Sequence, residues 1–129
     1  MQFIIQKSAL QGAVHIPGSK SHTIRAVAIA ALAPGESVIR HPLDSADAHA
    51  ARRAYRMFGA EIEEAEGEWR VRGIAGSPKL PEDCVNVENS GTTMRMALGT
   101  AALLRGPGMT VLTGDAQVRR RPCGPLAAA

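Results

Sequence analysis

The residues best suited to chemistry lie at the start of a helix-forming segment, "IPGSKSHTIRAVAIAALA" (16–33). Gly18 and Ser19 allow a ligand to approach the backbone closely, and Ser21 adds a hydroxyl donor. Lys20 and Arg25 add full positive charges. Because a helix N-terminus carries unpaired N–H groups and a partial positive charge, this start suits a phosphate or a carboxylate. The alternative is an ordinary helix cap made by Ser19 or Ser21, with Lys20 as a solvated charge.

A second helix start repeats this pattern 70 residues later, where "GTTMR" (91–95) aligns with "SHTIR" (21–25). Each is followed by an Ala-rich segment, a Pro-Gly turn and a β-branched stretch. The alternative for "ENSGTTMR" (88–95) is a capped helix with Thr92 or Thr93 near its N-terminus. The self-similarity predicts duplicated βαβαββ units, one complete and the second without its final hairpin. Packed by pseudo-symmetry, such units would place two anion sites on one edge.

The third candidate is a basic loop, "LTGDAQVRRRPCGPL" (112–126), with three arginines before Pro122. It is compatible with a nucleic-acid patch or with a solvated loop, but the run is shorter than the basic stretches typical of nucleic-acid binding. Since the loop follows a predicted strand directly, as the other two sites do, we expect it to contribute to the same anion-binding cleft.

The elements that position these motifs follow from hydrophobic periodicity and from Gly and Pro punctuation. The predicted strands are 3–7, 13–16, 37–41, 84–88 and 109–114. A hairpin is predicted over 61–74, turning at Gly67. The predicted helices are 20–33, 45–58 and 90–104, with another beginning at Pro122.

The composition is that of one small globular domain: 129 residues, 45% hydrophobic, with a net charge of +3. Only four residues are aromatic, which predicts a core of Ala, Val, Ile, Leu and Met. The mild positive surplus suits small anionic ligands. The shortage of aromatic side chains argues against a platform for single-stranded nucleic acid, so no nucleic-acid partner is expected.

Cysteine and histidine spacing predicts no metal site and no disulfide framework. Cys84 and Cys123 are far apart and outside any CxxC pattern, and the four histidines lack metal-ligand spacing. Free thiols fit a reducing cytosol. The longest apolar run, 26–33, is too short to cross a membrane. A cytoplasmic protein without a membrane partner is therefore expected.

Four stretches, taken in order, resemble the 5-enolpyruvylshikimate-3-phosphate (EPSP) synthase family. They are "PGSKSHTIRA" (17–26), "LDSADAHAARRAYRMFGAEI" (43–62), "NSGTTMR" (89–95) and "LTGDAQVRRRPCGPL" (112–126). The resemblance covers essentially the whole chain. The sister family that transfers enolpyruvate to a UDP-amino sugar has a Lys-Asn motif at the first site, so the "SKS" found here argues against it.

The resemblance implies transfer of the enolpyruvyl group of phosphoenolpyruvate to the 5-hydroxyl of shikimate 3-phosphate, in the shikimate pathway to aromatic amino acids. No cofactor is implied. The implied fold is α/β, an inside-out barrel of βαβαββ repeats, with one complete unit and part of a second in this chain. Residues 1–16 are expected to form strands that pair with another domain. Residues 17–129 are expected to form a partial domain, with units at about 17–74 and 84–129.

By motif position, the resemblance also implies a set of site residues. Lys20 is expected to be catalytic and to contact both substrates. Binding of shikimate 3-phosphate is expected of Lys20, Ser21 and Arg25. Binding of phosphoenolpyruvate, in a pocket that also takes glyphosate in this family, is expected of Lys20, Asn89, Gly91, Thr92 and Arg121. A supporting role is expected of Asp47 and Arg95.

Two departures from the family pattern stand out. The family usually has Gly where Glu88 stands, and a carboxylate here should weaken an anion pocket unless it points away or pairs with an arginine. The family also continues well beyond "GPLAAA", and its remaining part carries further phosphate-gripping and proton-transfer residues. We therefore expect activity only with a complementary C-terminal chain. The alternative is a stand-alone module that binds phosphorylated ligands or RNA.

Overall fold

Helices and strands alternate along the chain in a computed structural model that describes residues 1–128. The helices are α1 (Lys20–Leu32), α2 (Ala46–Met57), α3 (Gly91–Ala101), α4 (Ala116–Arg119) and α5 (Gly124–Ala127). The strands are β1 (Glu36–Arg40), β2 (Glu61–Ala65), β3 (Glu68–Arg72), β4 (Val85–Asn86) and β5 (Leu112–Thr113). The three long predicted helices are confirmed, each ending within three residues of its predicted end.

The first group of elements is a three-stranded antiparallel sheet in the order β1-β3-β2, packed against α1 and α2. The predicted hairpin is formed by β2 and β3, which pair from Glu61↔Arg72 to Ala65↔Glu68. Gly67 makes their turn with φ of 73°, a conformation that glycine adopts without steric cost. The central strand, β3, buries Trp69 and Val71 on the face that meets the helices.

The C-terminal end of α1 is fixed by the chain that leaves β3. The N–H groups of Ile74, Ala75 and Gly76 donate to the carbonyls of Ala31, Ala33 and Leu32. These carbonyls belong to the last turn, where a helix leaves its acceptors unpaired. The helix is thereby anchored to the sheet, and its N-terminus points away from this anchor.

The second group of elements is a βαβ unit in which β4 and β5 are parallel and α3 connects them. The two strands pair only over Val85↔Leu112 and Asn86↔Thr113, so the predicted strands 84–88 and 109–114 are shorter than expected. Val85 and Val87 are fully buried, which explains the β-branched pattern of this stretch. The α3 N-terminus follows β4 at the end where β5 leads into α4.

The core is made where the Ala-rich faces of α1 and α2 pack together, which small side chains permit at close range. The prediction of a core without aromatic residues is wrong. Tyr55, Phe58 and Trp69 are at most 5% exposed, because their positions fall on the inner faces of α2 and β3. Phe3 is the exception and is exposed.

Two other predictions need correction. The predicted strands 3–7 and 13–16 do not form: residues 1–19 carry no helix or strand. An extended segment needs a neighbouring backbone for its hydrogen bonds, and the described residues offer none there. The helix expected at Pro122 begins at Gly124 instead, and α4 was not predicted. The division at 1–16 and 17–129 remains a prediction.

Within residues 1–128, none of the helices is both long enough and apolar enough to span a bilayer.

Candidate anion-binding site

A cavity of about 420 Å³ lies where α1, the start of α3 and the loop after α4 meet. Three arginines contribute to its wall, one from each of these three places. The lining residues are Arg25, Gly91, Thr92, Arg95, Met96 and Arg121. The structure thus brings together five of the residues singled out from sequence, drawn from all three chemical motifs.

The cavity is positively charged because its three guanidinium groups lack acidic partners. In the part of the chain that the structure describes, no carboxylate lies within 4.0 Å of Arg25, Arg95 or Arg121. Like charges held together in this way favour an anion that all of them can share. The guanidinium group also has the planar donor geometry that binds phosphate or carboxylate oxygens in pairs.

The two duplicated helix starts hold their arginines by the same contact. Arg25 Nη1 donates to the carbonyl of Ser21 at 3.0 Å, and Arg95 Nη1 donates to that of Gly91 at 3.2 Å. Each contact joins residues four apart on the first helical turn. An arginine has five N–H donors, so this bond orients the group and leaves most donors for a ligand.

Gly91 leaves a space that the Arg121 side chain occupies. A Cβ atom built on Gly91 would lie 2.5 Å from Arg121 Nη1 and 3.6 Å from Arg95 Nη1. The first distance is well below van der Waals contact. Glycine here therefore lets the Arg121 guanidinium reach the N-terminus of α3, where the helix dipole adds to the positive potential.

The structure shows which side chains cap α1 and α3, and this bears on the alternative that these helix starts are ordinary caps. Ser19 caps α1 by accepting from the N–H of His22, and Ser90 caps α3 by accepting from the N–H of Thr93. Ser21 and Thr92 make no cap, so their hydroxyls are not committed in this way. The caps and the anion cavity consequently use different side chains.

Lys20 and Ser21 do not line the cavity, although they lie at the start of α1. The Lys20 ammonium is 2.9 Å from Asp47 Oδ2, a residue in the first turn of α2. Ser45, and not Asp47, caps that helix, which leaves the Asp47 carboxylate for Lys20. The structure therefore places Asp47 in contact with the lysine.

Asn89 also lies outside the cavity wall and instead joins two loops. Its amide donates to the carboxylate of Asp115 and to Gln117 Oε1, the latter at 3.3 Å. Asp115 caps α4 by accepting from the N–H groups of Gln117 and Val118. The Val118 N–H and, next, the Asn89 amide hold the pKa of Asp115 below its ordinary value.

Asp115 was missed as a site residue when the sequence was read alone. The available signal was its place directly after a strand and before "AQV", where a short helix would need an N-cap. Its capping bonds hold α4 against the Asn89 loop, and Arg121 follows two residues after that helix.

Glu88 does pair with an arginine: its Oε1 lies 2.6 Å from Arg53 Nη2 on α2. Its backbone has φ of 51°, in the left-handed region. There a side chain costs about 1 kcal/mol relative to glycine. The Glu88 N–H donates to Asn86 Oδ1 at 2.9 Å, and its carbonyl accepts from Asp115 at 2.8 Å.

A larger cavity of about 870 Å³ lies between α3, β5 and the C-terminal segment. Its wall is mainly apolar and includes Met94, Leu98, Val111 and Leu126. Such a wall suits packing against another apolar surface, and it does not suit a multiply charged anion. Within the described residues, no group of three or more His, Cys, Asp or Glu side chains is arranged to hold a metal ion.

Comparisons of this chain with known proteins all point to one family. The sequence profile of the EPSP synthases (3-phosphoshikimate 1-carboxyvinyltransferases) matches residues 4–129. The 3-phosphoshikimate 1-carboxyvinyltransferase of Acetivibrio thermocellus is 52% identical over 122 residues, which are 95% of this chain and 28% of that protein. The enzyme of Methanosarcina acetivorans is 46% identical over 126 residues, 98% of this chain and 29% of that protein.

Solved structures agree with this result. An EPSP synthase from Acinetobacter baumannii superposes with a TM-score of 0.78 at 32% identity, covering 91% of this chain and 27% of its own. The predicted α/β fold, a partial enolpyruvyl transferase fold, is thereby confirmed. This chain spans between a quarter and a third of the length of these relatives and corresponds to their N-terminal portion.

Proposed function

Because this chain belongs to the EPSP synthase family, we propose that it binds phosphoenolpyruvate and shikimate 3-phosphate as the N-terminal share of a 3-phosphoshikimate 1-carboxyvinyltransferase. The reaction moves the enolpyruvyl group to the 5-hydroxyl of shikimate 3-phosphate and releases phosphate. The observation that carries this proposal is the cavity beside Gly91, where three arginines without acidic partners converge.

The chemistry of the two substrates matches this positive field. Both carry a phosphate and phosphoenolpyruvate also carries a carboxylate, so bringing them together concentrates negative charge. Fixed guanidinium and ammonium groups offset that repulsion and hold the reacting atoms in place, which is a large part of what an enzyme can contribute. The positions are fixed in advance by backbone contacts such as that of Arg95 to Gly91.

We assign phosphoenolpyruvate to the side of the cavity formed by Gly91, Thr92 and Arg121. Shikimate 3-phosphate is assigned to the start of α1, with Ser21 and Arg25. Lys20 lies at this same start, and its contact with Asp47 uses one of its three donors. Its two remaining donors suit a lysine that bridges the two substrates.

We further propose that turnover requires the rest of the family's fold, supplied by a complementary chain. The residues lining the cavity include no Asp, Glu or His. Arginine does not release a proton in the accessible pH range, so this wall binds anions without a group for proton transfer. Acid–base groups must then come from outside it.

Phosphate release from the two substrates tests this proposal, with this chain alone and mixed with the matching C-terminal part of the Acetivibrio thermocellus enzyme. We expect no turnover by the chain alone and turnover in the mixture. Lys20→Ala should abolish it, whereas Lys79→Ala, a matched control packed against Gly59, should not. Turnover by the lone chain would contradict the need for a partner.

Ligand titration separates this function from the alternative binding module. Shikimate 3-phosphate and a short RNA are titrated separately into the chain and into the Lys20→Ala variant. We expect binding of shikimate 3-phosphate that the substitution weakens. Salt-sensitive RNA binding that survives Lys20→Ala, without binding of shikimate 3-phosphate, would favour the module instead.

A further inference from the structure

Besides Asp115, whose carboxylate caps α4 and interacts with Arg121 through space, one acidic residue lies close along the chain to the anion cavity: Glu88, three residues before Gly91. It occupies the short loop between β4 and α3, directly before Asn89. If its carboxylate turned toward the cavity, it would repel an incoming anion and compete for the same arginines.

The backbone of Glu88 is held independently of its side chain. Its N–H is bound by Asn86 and its carbonyl by the N–H of Asp115, on opposite sides of the residue. Gly114 confirms the tight fit, since a Cβ there would lie 2.5 Å from the Glu88 carbonyl oxygen. These contacts hold the loop backbone without help from the Glu88 side chain. The position of the carboxylate therefore depends on the partner of that side chain.

Arg53 is the partner of the Glu88 carboxylate, since its Nη2 lies 2.6 Å from Glu88 Oε1. Arg53 belongs to α2, while Glu88 precedes α3, so the pair joins two different elements. The same helix carries Asp47, which contacts Lys20. One helix thus holds a charged group at each of the two duplicated helix starts, with opposite sign in the two cases.

We propose that Arg53 is a positioning residue of the anion site, which holds the Glu88 carboxylate against α2 and neutralises it. The arginines of the cavity then stay available to a phosphorylated ligand. This inference rests on the proposed function, since it concerns the same cavity. It assigns a role to a residue that is not among those lining the cavity.

A purely structural role is a poor explanation for this pair. Both side chains are about half exposed, 45% for Arg53 and 50% for Glu88. Ion pairs of that exposure contribute little to the stability of a folded protein. A neutralised charge beside a binding site, in contrast, changes ligand affinity and its dependence on salt.

The test compares Arg53→Ala, Glu88→Gly and the double variant with the unaltered chain. Arg70→Ala is the matched control, since Arg70 pairs with Glu68 at 3.0 Å on β3, in the antiparallel sheet. Inorganic phosphate and phosphoenolpyruvate are titrated separately, and binding is followed by the amide NMR signals of Gly91 and Thr92.

We expect Arg53→Ala to weaken anion affinity about five-fold, the order of magnitude for one unpaired charge near a screened site. The double variant should return close to the original affinity, because no carboxylate is left to neutralise. The loss should shrink at high salt, and Arg70→Ala should change nothing. Unchanged affinity in Arg53→Ala, or a double variant as weak as Arg53→Ala, would overturn the proposal.

If neither anion binds, the proposed function fails. The role of Arg53 can then still be tested without ligand, from the amide NMR signals of residues 88–91. Arg53→Ala should shift these signals, and the charge-swapped variant Arg53→Glu with Glu88→Arg should restore them. Signals that stay in place in Arg53→Ala would show that Arg53 does not hold the Glu88 carboxylate beside these residues.

Discussion

Gly91 and Arg121 show how two residues 30 positions apart depend on one another. The guanidinium of Arg121 occupies the volume that any side chain at 91 would need. Arg121 is the flexible partner, so a larger residue at 91 would displace the arginine before it disturbed the fold. The effect of substitution should therefore appear in binding and not in stability.

Gly91→Ala should weaken binding of phosphoenolpyruvate by about ten-fold, the loss expected when one charged hydrogen-bonding group is displaced. Gly99→Ala is the matched control on the same helix, because a Cβ there meets nothing within 4 Å. It should leave affinity unchanged and raise stability by about 0.5–1 kcal/mol. Calorimetric titration and thermal unfolding measure both. Equal affinities of the two variants would contradict the role of Gly91.

The backbone of Glu88 leads to a second prediction at this scale. Because its φ of 51° disfavours a Cβ, Glu88→Gly should be more stable than Glu88→Ala by about 1 kcal/mol. Both variants lose the contact with Arg53, so the difference between their free energies of unfolding reports the backbone conformation at residue 88. Urea unfolding of the two variants measures it. Equal midpoints would mean that the loop relaxes around alanine.

At the scale of elements, α2 is the connection between the two duplicated helix starts. It carries Asp47 toward α1 and Arg53 toward the loop before α3. Its inner face carries Tyr55, whose hydroxyl lies 3.0 Å from Thr100 Oγ1 of α3. Thr100 donates to the carbonyl of Met96, so the tyrosine supplies the proton of the inter-helix bond.

Because the tyrosine donates this bond, replacing Tyr55 and replacing Thr100 should lower the free energy of unfolding by different amounts. Tyr55→Phe leaves Thr100 bound to Met96 and should cost about 1 kcal/mol of unfolding free energy. Thr100→Val leaves a buried phenol without a partner and should cost more, about 1–3 kcal/mol. Chemical unfolding near neutral pH compares them. A larger loss in Tyr55→Phe would contradict the proton assignment.

The same bond predicts an alkaline loss of stability. Burial raises the pKa of Tyr55 above its ordinary value. The unfolded chain therefore ionises first, so the contribution is complete below about pH 10 and falls as the pH rises further. The stability gap between the unaltered chain and Tyr55→Phe should narrow above that pH. A gap that is constant up to pH 11 would contradict the raised pKa.

At the scale of the whole molecule, apolar surface remains uncovered at the N-terminal segment. The large exposed side chains of this segment are Met1, Phe3, Ile4, Ile5, Leu10, Val14 and Ile16. Exposed apolar surface of this extent is typical of a segment that packs against a partner. We propose, as at the sequence level, that residues 1–16 form strands with another domain of the family's fold.

Mixing with the complementary C-terminal chain should therefore protect this segment. We expect the amide hydrogens of residues 3–7 and 13–16 to exchange rapidly in the chain alone and slowly in the mixture. The amides of Arg105, Gly106 and Gly108, in the turn after α3, should exchange at the same rate in both and serve as the internal reference. Rapid exchange at 3–7 in an active mixture would contradict the strand pairing.

Local patterns in the sequence were enough to predict where the three long helices begin. Helix starts at Lys20, Ala46 and Gly91 follow from Ser caps and apolar periodicity, both of which depend on neighbouring residues only. The segment 3–16 has equally good strand periodicity and yet forms no strand. Pairing depends on a second backbone, which periodicity does not report.

The sequence by itself determined the family, the helix starts and the types of residue available to bind an anion, because each is encoded in short contiguous motifs. Only the tertiary structure decided which of them meet. It brought Arg25, Arg95 and Arg121 to one cavity, and it left Lys20 with Asp47 and Asn89 with Asp115. It also gave Glu88 its partner, Arg53, 35 residues away. The physical reason is that charges act through space, so their effect depends on the folded distance between side chains.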